Sequence, residues 1–416
     1  MYRPPCCAGH GALAPVGTEK RGICRLSNIY QPLAPEALQS PLAMYDVLRQ
    51  TGSVLWHEQL TSWICTTYAE CRTALANPQV FTTDPTKIGI DIPPERRNIQ
   101  TLDPPEYLTP RRALAQEFQR VEFSTFGEVA AKEAATQVRA YLQGDIALVR
   151  GIGLFTLRTV SQVLGILGLD EDAFLSLSEL LVRGMDFGFR PESAQPSDDA
   201  RAAISQMIDD VAREDRLTGL AESIFDNFAQ TNREFALNSL RVLLHAGYSS
   251  SCRLIENSIA VLAADPEIQH RLQGADDGRW RLAVNEFARF DGPVQAEARI
   301  VASDTTLGGQ ELLRGDLFVL VLGSANTDPH QFSDPKRVDI DRQPNPHLGF
   351  GRGLHSCLGA RIATVQVQSF LQELLFWGTL SFDGQPVRRD NATLRGFAEL
   401  PLKIEEHRLG PDREKA

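Results

Sequence analysis

The feature that most constrains the fold is one long stretch of helical periodicity over residues 235–264. Apolar residues recur there at helical spacing for about eight turns, and Asn232 stands just before the stretch as a plausible helix cap. A helix of this length that is apolar on most of its faces is expected to run through the middle of a core. A chain of 416 residues is long enough to bury such a helix.

Shorter patterns elsewhere define the fold class. Helical patterns dominate residues 41–289, and a last long helix is expected to begin near Leu358. Strand-like runs separated by turn residues occupy residues 54–57, 63–67, 298–302 and 317–321. The first two runs predict a hairpin and the later two predict a small mixed sheet. The expected fold is therefore mainly α with a small β region, of the α+β class.

The composition narrows the class of protein. Asp and Glu number 53 against 42 Lys and Arg, so the formal charge is −11, which argues against broad nucleic-acid binding. The seven cysteines are odd in number and scattered, and none belongs to a paired array of the zinc type. This usage favours reduced thiols and a cytoplasmic location over a disulfide scaffold.

The N-terminal residues differ in character from the rest of the chain. Residues 1–25 contain several prolines, glycines and cysteines, but they lack the apolar core of a signal peptide. They also lack the ~20 apolar residues of a membrane anchor. We predict a flexible leader over residues 1–25 and a single domain over residues 26–416.

The most informative local feature is the loop that leads to Cys357. Its sequence is His347-Leu348-Gly349-Phe350-Gly351-Arg352-Gly353-Leu354-His355-Ser356-Cys357-Leu358-Gly359. Three glycines before the cysteine keep the loop tight and let the backbone approach a flat ligand, and a helix start at Cys357 favours its thiolate. Phe350 can shield the sulfur from water, and Arg352 or His355 can meet anionic groups. A buried free cysteine is the commoner role for a lone Cys, but the density of glycine, aromatic and basic residues favours a ligand.

The pattern Phe350-Gly351-x-Gly353-x-His355-x-Cys357-x-Gly359 resembles the haem-binding signature of the cytochrome P450 family. The resemblance implies a haem b cofactor whose iron has Cys357 as its axial ligand, in a site that also includes Phe350, Gly351 and Gly359. It implies that His355 contacts a haem propionate. The family's fold places the long helix over the haem and the cysteine loop beneath it.

A second match to the family is the pair formed by Glu286 and Arg289, which share one face of a helix. By the resemblance, this pair joins a basic residue of the following coil. Arg337 is the first choice for that residue and Arg342 the second. The network is expected to hold the cysteine loop in place and to be structural, not catalytic.

Three further residues match positions that contact haem propionates in the family. Arg299 and Arg111 fit these positions directly, and Tyr107 replaces the family's histidine as a hydrogen-bond donor without a positive charge. The run of residues 103–106, which begins with Asp103, is interpreted as a helix start with an acidic residue at the positive end of the helix dipole.

The long helix departs from the family where an acid and an alcohol normally relay protons. The family has A-G-x-D/E-T in this place, and the present chain has Ala246, Gly247, Ser249 and Ser250, so Ser249 replaces the acid and Ser250 the threonine. Gly247 suggests a groove where the helix backbone makes room for a ligand, because glycine costs ~1 kcal/mol against alanine in a helix. The two serines either relay protons or bond back to helix carbonyls.

The resemblance implies a haem-thiolate oxidoreductase, an oxygen-dependent monooxygenase that acts on a small organic substrate of the secondary-metabolite kind. The alternative is an atypical haem-thiolate reaction, namely oxidative coupling, nitration or peroxide-dependent oxidation. It follows from the replacement of the acid by Ser249, because proton delivery by a positioned side chain is worth ~10²–10⁴-fold. A second alternative is a non-catalytic haem-binding sensor.

The last expectations concern the substrate and the electron donor. By the resemblance, the pocket draws on Ala246, Gly247 and residues 88–99, 185–190, 294–296 and 397–398, with Phe187, Phe189 and Phe397 as apolar walls. The sequence leaves no flavin or iron–sulfur segment, so electrons are expected from a separate ferredoxin or flavodoxin. Arg112, Arg352 and Arg361 are expected to form the basic docking surface for this partner, on the cysteine side.

Overall fold

The computed structural model of the chain describes residues 29–230 and 232–406. The predicted leader over residues 1–25 lies outside these residues. Helices form most of the structure: α1 (Pro35–Gln39), α2 (Leu42–Thr51), α3 (Tyr68–Ala76), α4 (Leu108–Gln119), α5 (Phe123–Leu142), α6 (Leu148–Leu164), α7 (Glu171–Met185), α8 (Ala194–Arg213), α9 (Gly219–Ala229), α10 (Arg233–Ala264), α11 (Pro266–Leu272), α12 (Asp277–Phe290), α13 (Leu322–Asn326) and α14 (Ala360–Trp377).

The strands are short and lie mostly in the second half of the chain. They are β1 (Val54–His57), β2 (Ser62–Cys65), β3 (Phe81–Thr82), β4 (Glu297–Val301), β5 (Thr305–Leu307), β6 (Gln310–Leu312), β7 (Leu317–Leu320), β8 (Gly378–Phe382), β9 (Val387–Arg388), β10 (Phe397–Glu399) and β11 (Leu402–Glu406). The predicted mainly α fold with a small β region is confirmed.

The largest sheet joins the early hairpin to the later strands. Its order is β1-β2-β7-β4-β3, in which β2 and β7 run parallel and the other neighbours run antiparallel. The hairpin and the mixed sheet were both predicted, but their union in one sheet was not. Gly308 and Gly309 join β5 to β6 with φ values of 56° and 75°, which favour glycine because a Cβ crowds the backbone there.

The predicted central helix is confirmed as α10, which spans 32 residues. The side chain of Asn232 caps it and accepts a hydrogen bond from the amide of Phe235 at 3.0 Å. The helix packs against α6, α8, α9 and α14, and its apolar residues, such as Leu240 and Ile255, lie in the main core. It therefore passes through the middle of the helical part of the molecule.

The expectation that α10 is apolar on most of its faces is wrong. Polar residues recur along it every three or four positions and are buried: Arg241, His245, Ser249, Arg253 and Glu256. At this spacing they form one polar stripe. These polar side chains can be buried because most of them have partners in neighbouring elements. The periodicity of one segment cannot show such partners.

A buried ion cluster fastens the first helix to the last strands. Arg395 donates to the carbonyls of Ala37 and Leu38 at 3.1 and 2.8 Å, and it pairs with Asp291 at 3.4 Å. Arg388 approaches the same carboxylate at 2.6 Å. Although burial opposes the shift, the two arginines hold the pKa of Asp291 below its usual value.

The cysteine loop lies between an irregular segment and the last long helix. Residues 327–346 have no helix or strand, and α14 begins at Ala360, close to its predicted start. Cys357 therefore stands three positions before the first residue of α14. Within residues 29–230 and 232–406, no helix combines the length and the hydropathy that a bilayer-spanning segment needs.

Candidate active site

The loop before Cys357 is held in a narrow turn by its own backbone. The amide of Cys357 donates to the carbonyl of Phe350 at 2.8 Å. Gly351 and Gly353 have φ values of 66° and 72°, in the left-handed region. A Cβ on Gly353 would also lie 2.8 Å from the carbonyl oxygen of Leu75 in α3. The glycines are therefore needed both for the turn and for its close approach to α3.

Cys357 is an exposed residue, although protein surrounds its thiol on most sides. Burial raises the pKa of the thiol, and the backbone amides of Gly359 and Ala360 and the charge of Arg111 act in the opposite direction. The amides point at sulfur because the chain turns into α14 at this place. Metal coordination overcomes a raised thiol pKa, because a coordinating thiol is deprotonated outright.

Polar residues from α4 and the segment before it meet the cysteine loop. His355 Nε2 lies 2.5 Å from Asp103 Oδ1, and the Arg111 guanidinium donates to the Ser356 carbonyl at 2.6 Å. Although burial opposes the shift, hydrogen bonds from His355 and from residues 82 and 83 hold the pKa of Asp103 below its usual value. The interpretation of Asp103 as a helix-start residue is wrong, because α4 begins only at Leu108 and the carboxylate faces the cysteine loop.

Tyr107 contacts the cysteine loop through both its ring and its hydroxyl. Its ring lies 4.4 Å from the His355 ring, and its hydroxyl donates to the Leu354 carbonyl at 3.4 Å. The residue is only 2% exposed. It therefore packs under the cysteine loop, and its hydroxyl is already engaged with protein.

Arg299 reaches the same region from β4. It is buried, pairs with Glu297 at 2.7 Å and donates to the Ala298 carbonyl at 2.8 Å. The negative charge of Glu297 acts on the Cys357 thiol, which places this ion pair close to sulfur. The structure thus brings together Cys357, His355, Arg111 and Arg299.

The Glu286 carboxylate is the centre of the predicted structural network. Arg289 binds both of its oxygens at 2.7 and 2.8 Å, and Arg342 Nε lies 3.1 Å from it. Arg342, the second choice, is therefore the basic member, and the first choice of Arg337 is wrong. The Arg337 side chain is exposed, and only its carbonyl takes part, as an acceptor from Arg289 at 3.1 Å.

The middle of α10 carries the predicted distal residues. Ala246 is exposed although the residues around it on this helix are largely buried. Ser250 Oγ is accessible and donates to the Ala246 carbonyl at 2.7 Å. Ser249 is buried at 2% exposure and points elsewhere. Of the two serines, only Ser250 presents its hydroxyl beside Ala246.

Gly247 has a different role from the predicted groove. A Cβ at this position would lie 2.6 Å from Val160 Cγ2 of α6. The glycine therefore lets α6 and α10 approach each other closely.

Glu179 of α7 is an acidic group near this stretch that the sequence reasoning missed. Arg253 is fully buried, binds Glu179 at 2.9 and 3.0 Å, and donates to the Ser249 carbonyl at 3.2 Å. Glu179 also pairs with Arg389 at 3.1 Å. No local pattern could reveal this carboxylate, because it lies 70 residues before Ser249 and meets α10 only through tertiary packing.

Two of the predicted pocket walls are engaged in packing. Phe189 lies 5.9 Å from the Tyr30 ring and 6.0 Å from the His57 ring. Phe397 is buried beneath the Arg388 guanidinium, which stands 3.8 Å from the ring centre.

Comparison with known proteins places this geometry in a family. The family model described as cytochrome P450 matches residues 281–404. The chain is 26% identical over 410 residues to cytochrome P450 CYP199A2 of Rhodopseudomonas palustris, across 94% of this chain and 98% of the relative. It is 29% identical over 401 residues to 6-deoxyerythronolide B hydroxylase of Saccharopolyspora erythraea, across 87% and 95% of the two chains.

The chain belongs to the cytochrome P450 family. A crystal structure of CYP109E1 from Bacillus megaterium in complex with testosterone has the same fold, with a TM-score of 0.81. It is 23% identical and covers 89% of this chain and 99% of that one, so the likeness speaks for the fold alone. The protein is a cytochrome P450 monooxygenase, and haem is its cofactor.

The residues at the site fit a haem group. An accessible thiol with amides aimed at it suits an axial ligand, and the cationic side chains of Arg111 and Arg299 suit the anionic propionates. On the opposite side, Ala246 offers a small apolar surface against which a flat ring and a substrate can lie.

We predict that Glu286→Gln destabilises this cytochrome P450 by about 3–5 kcal/mol, because it leaves Arg289 buried without its carboxylate. The free energy of unfolding, measured by denaturant titration of the haem-loaded protein, checks this value. Glu311→Gln on exposed strand β6 is the matched control and should change stability by at most about 0.5 kcal/mol. Equal stability of the Glu286 variant and the parent would contradict the role given to the network.

Proposed function

We propose that this cytochrome P450 binds haem b through Cys357 Sγ and hydroxylates a small organic molecule of the secondary-metabolite kind. The observation that carries the proposal is Cys357, an exposed residue whose thiol lies against the amides of Gly359 and Ala360. With haem bound, thiolate ligation pushes electron density to iron and favours O–O cleavage. The relative named 6-deoxyerythronolide B hydroxylase supports hydroxylation as the reaction.

Residues around the cysteine loop would hold the anionic edge of the cofactor. Arg111 and Arg299 carry permanent charge, and His355 is oriented by Asp103 at 2.5 Å. Phe350 packs beside His347, with ring centres 5.6 Å apart, and belongs to the apolar surroundings of the loop. These residues position the cofactor, and the reaction takes place on the side of α10.

On that side, Ala246 gives the substrate an apolar surface and Ser250 holds a proton at Oγ. The hydroxyl rests on the Ala246 carbonyl, and a serine can release this bond by rotation about χ1 to donate elsewhere. Ser249 contributes its carbonyl to Arg253. Ser250 is therefore the residue of this pair that we assign to proton delivery.

An atypical haem-thiolate reaction is the second candidate, and the nature of Ser249 favours it. The side chain is buried and has no acidic group, so the position that carries a carboxylate in relatives cannot supply protons here. Oxidative coupling, nitration or peroxide-dependent oxidation would depend less on proton delivery by the side chain at this position. A non-catalytic sensor has no specific observation in its favour.

Electrons would come from a separate ferredoxin or flavodoxin. Arg112, Arg352 and Arg361 are all exposed, and Arg361 lies over the Phe123 ring at 3.8 Å, which holds its charge in place. An exposed basic surface beside the cysteine loop would steer an acidic partner toward the shortest path to the cofactor. The cytoplasmic location stays a prediction from the cysteine pattern.

The assignment of Cys357 is tested by the spectrum of the reduced protein with carbon monoxide. The parent should give the red-shifted Soret band of thiolate ligation, and Cys357→Ala should lose it. Cys71→Ala, which removes a buried thiol of α3, is the control and should keep the band. A Cys357→Ala spectrum that matches the parent would refute the assignment, as would a parent protein that takes up no haem.

We predict that Ser250→Ala lowers product formation per oxygen consumed by roughly 10-fold or more and raises peroxide release, because proton delivery is impaired. Oxygen uptake, peroxide and product are measured together with a turned-over substrate. Ser258→Ala is a matched control, since Ser258 Oγ bonds back to the Leu254 carbonyl on the same helix. Unchanged coupling in Ser250→Ala would remove this hydroxyl from the reaction.

The docking surface is tested by charge reversal at Arg352. Arg352→Glu should slow reduction of the protein by a ferredoxin at low ionic strength, and the difference from the parent should shrink as salt screens the interaction. Stopped-flow reduction rates measure the effect. Arg213→Glu, at an exposed position of α8, changes the net charge equally and should leave the rate nearly unchanged. A rate for Arg352→Glu equal to the parent at both salt concentrations would contradict steering by this surface.

A further inference from the structure

The central helix carries one buried cation that lacks a carboxylate partner. Within residues 29–230 and 232–406, six arginines are buried, and five of them pair with Asp or Glu: Arg253, Arg289, Arg299, Arg342 and Arg395. The sixth, Arg241, is 5% exposed and forms no ion pair with these described residues. Its Nε has no hydrogen-bond partner, and its Nη2 is 3.5 Å from Asn238 Oδ1.

Such an arrangement costs folding free energy. A buried charge without an opposite charge is strongly unfavourable, and a guanidinium with an unused N–H adds a desolvation penalty. Burial, reinforced by the charge of Arg201, lowers the pKa of Arg241 to about 10, so the side chain still carries its charge at neutral pH. Ionisable groups whose pKa is strongly perturbed by burial and by neighbouring charges cluster at functional sites.

The surroundings of Arg241 lie where the segment before α4 and helix α8 meet α10. The Asn238 amide donates to the carbonyls of Pro94 and Arg97 at 3.0 and 3.3 Å, so the Asn238–Arg241 turn lies beneath this segment. Arg96 and Arg201 both bind one carboxylate, Asp198, and the first of these contacts is 2.6 Å long. Arg241 lies near Arg201, whose carboxylate partner Asp198 also binds Arg96, so positive charge predominates in this corner.

His245 lies one helical turn after Arg241 and has a free atom of its own. The residue is buried, its Nε2 has no hydrogen-bond partner, and the Ser178 carbonyl takes the other ring nitrogen. Burial, and then the charges of Arg253 and Arg241, lower the pKa of the imidazole to about 4. Residues four apart share one face of a helix, so Arg241 Nε and His245 Nε2 are two unpartnered polar atoms of the same stripe.

We propose that Arg241 is the anchor for a carboxylate group of the substrate, with His245 beside it as a second polar contact. The proposal rests on the proposed monooxygenase function and adds the substrate class, namely an apolar molecule with one carboxylate. A single carboxylate matches the single unpaired cation, whereas a phosphate monoester would bring a second, uncompensated charge. The planar guanidinium suits the two oxygens of a carboxylate.

Binding of matched acids and amides to the haem-loaded protein tests the proposal. The probes are decanoate with decanamide and 4-phenylbutanoate with 4-phenylbutanamide, and affinity is measured by calorimetry and by the haem difference spectrum. Each acid should bind about 10- to 100-fold more tightly than its amide, because a charge-assisted hydrogen bond is worth about 1.5–3 kcal/mol. Equal affinity for acid and amide in both pairs would overturn the proposal, and so would tighter binding of decyl phosphate than of decanoate.

The variant Arg241→Gln separates a ligand anchor from a structural arginine. It should lose the 10- to 100-fold preference for acids while it binds the amides within about twofold of the parent. Its melting temperature without ligand should rise, since an unpaired buried charge has been removed, and decanoate should no longer raise it. A lower melting temperature together with equal weakening for acids and amides would identify Arg241 as structural.

Two controls distinguish a failure of the proposed carboxylate anchor from a failure of the proposed function. Arg213→Gln removes an exposed charge on α8 and should keep the full preference for acids. The carbon monoxide spectrum of each variant reports the haem-thiolate site independently. A normal spectrum without acid preference would refute the carboxylate anchor alone, and an absent thiolate band in the parent would refute the proposed function.

Discussion

The Glu286 carboxylate is fully buried, and Arg289 and Arg342 surround it with charge-assisted hydrogen bonds. A carboxylate so far from water is stable only when its partners are in place, so the irregular coil that follows α13 must take one course. Arg289 also donates to the carbonyl of Asn326 at 3.0 Å, and Asn326 Oδ1 accepts from the amide of Leu348 at 2.7 Å. The position of the cysteine loop therefore depends on one buried carboxylate more than 60 residues upstream.

Buried charge has two different roles in this molecule. Where an arginine meets a carboxylate of the chain, as Arg253 meets Glu179, the pair joins two elements and helps to hold them in place. Arg241 lies on the same helix and has no such partner among the described residues, so its charge cannot serve that purpose. Two arginines three turns apart on one stripe of α10 therefore differ in role. Arg253 joins α10 to α7, whereas Arg241 is the proposed contact for the substrate.

Much of the fold and the centre of the site could be predicted from the sequence. The long helix shows itself through periodicity and its Asn232 cap, and the cysteine loop through a dense local motif, because both signals lie within a few neighbouring residues. The partners of the charged side chains could not be predicted in this way. Arg337 fits the local pattern better than Arg342, yet only the turn of the folded coil decides which guanidinium reaches Glu286. Asp103 likewise meets His355 across 252 positions of sequence, which no short pattern can indicate.

The contact between Gly247 and Val160 has a consequence for the range of molecules that the site can admit. Since a single methyl group would already collide there at 2.6 Å, α10 rests directly on α6 and has no slack on that side. Close-packed interiors yield little to added volume. Room for a bulkier substrate therefore cannot come from a shift of α10 toward α6 at this point, and the middle of α10 keeps a fixed position.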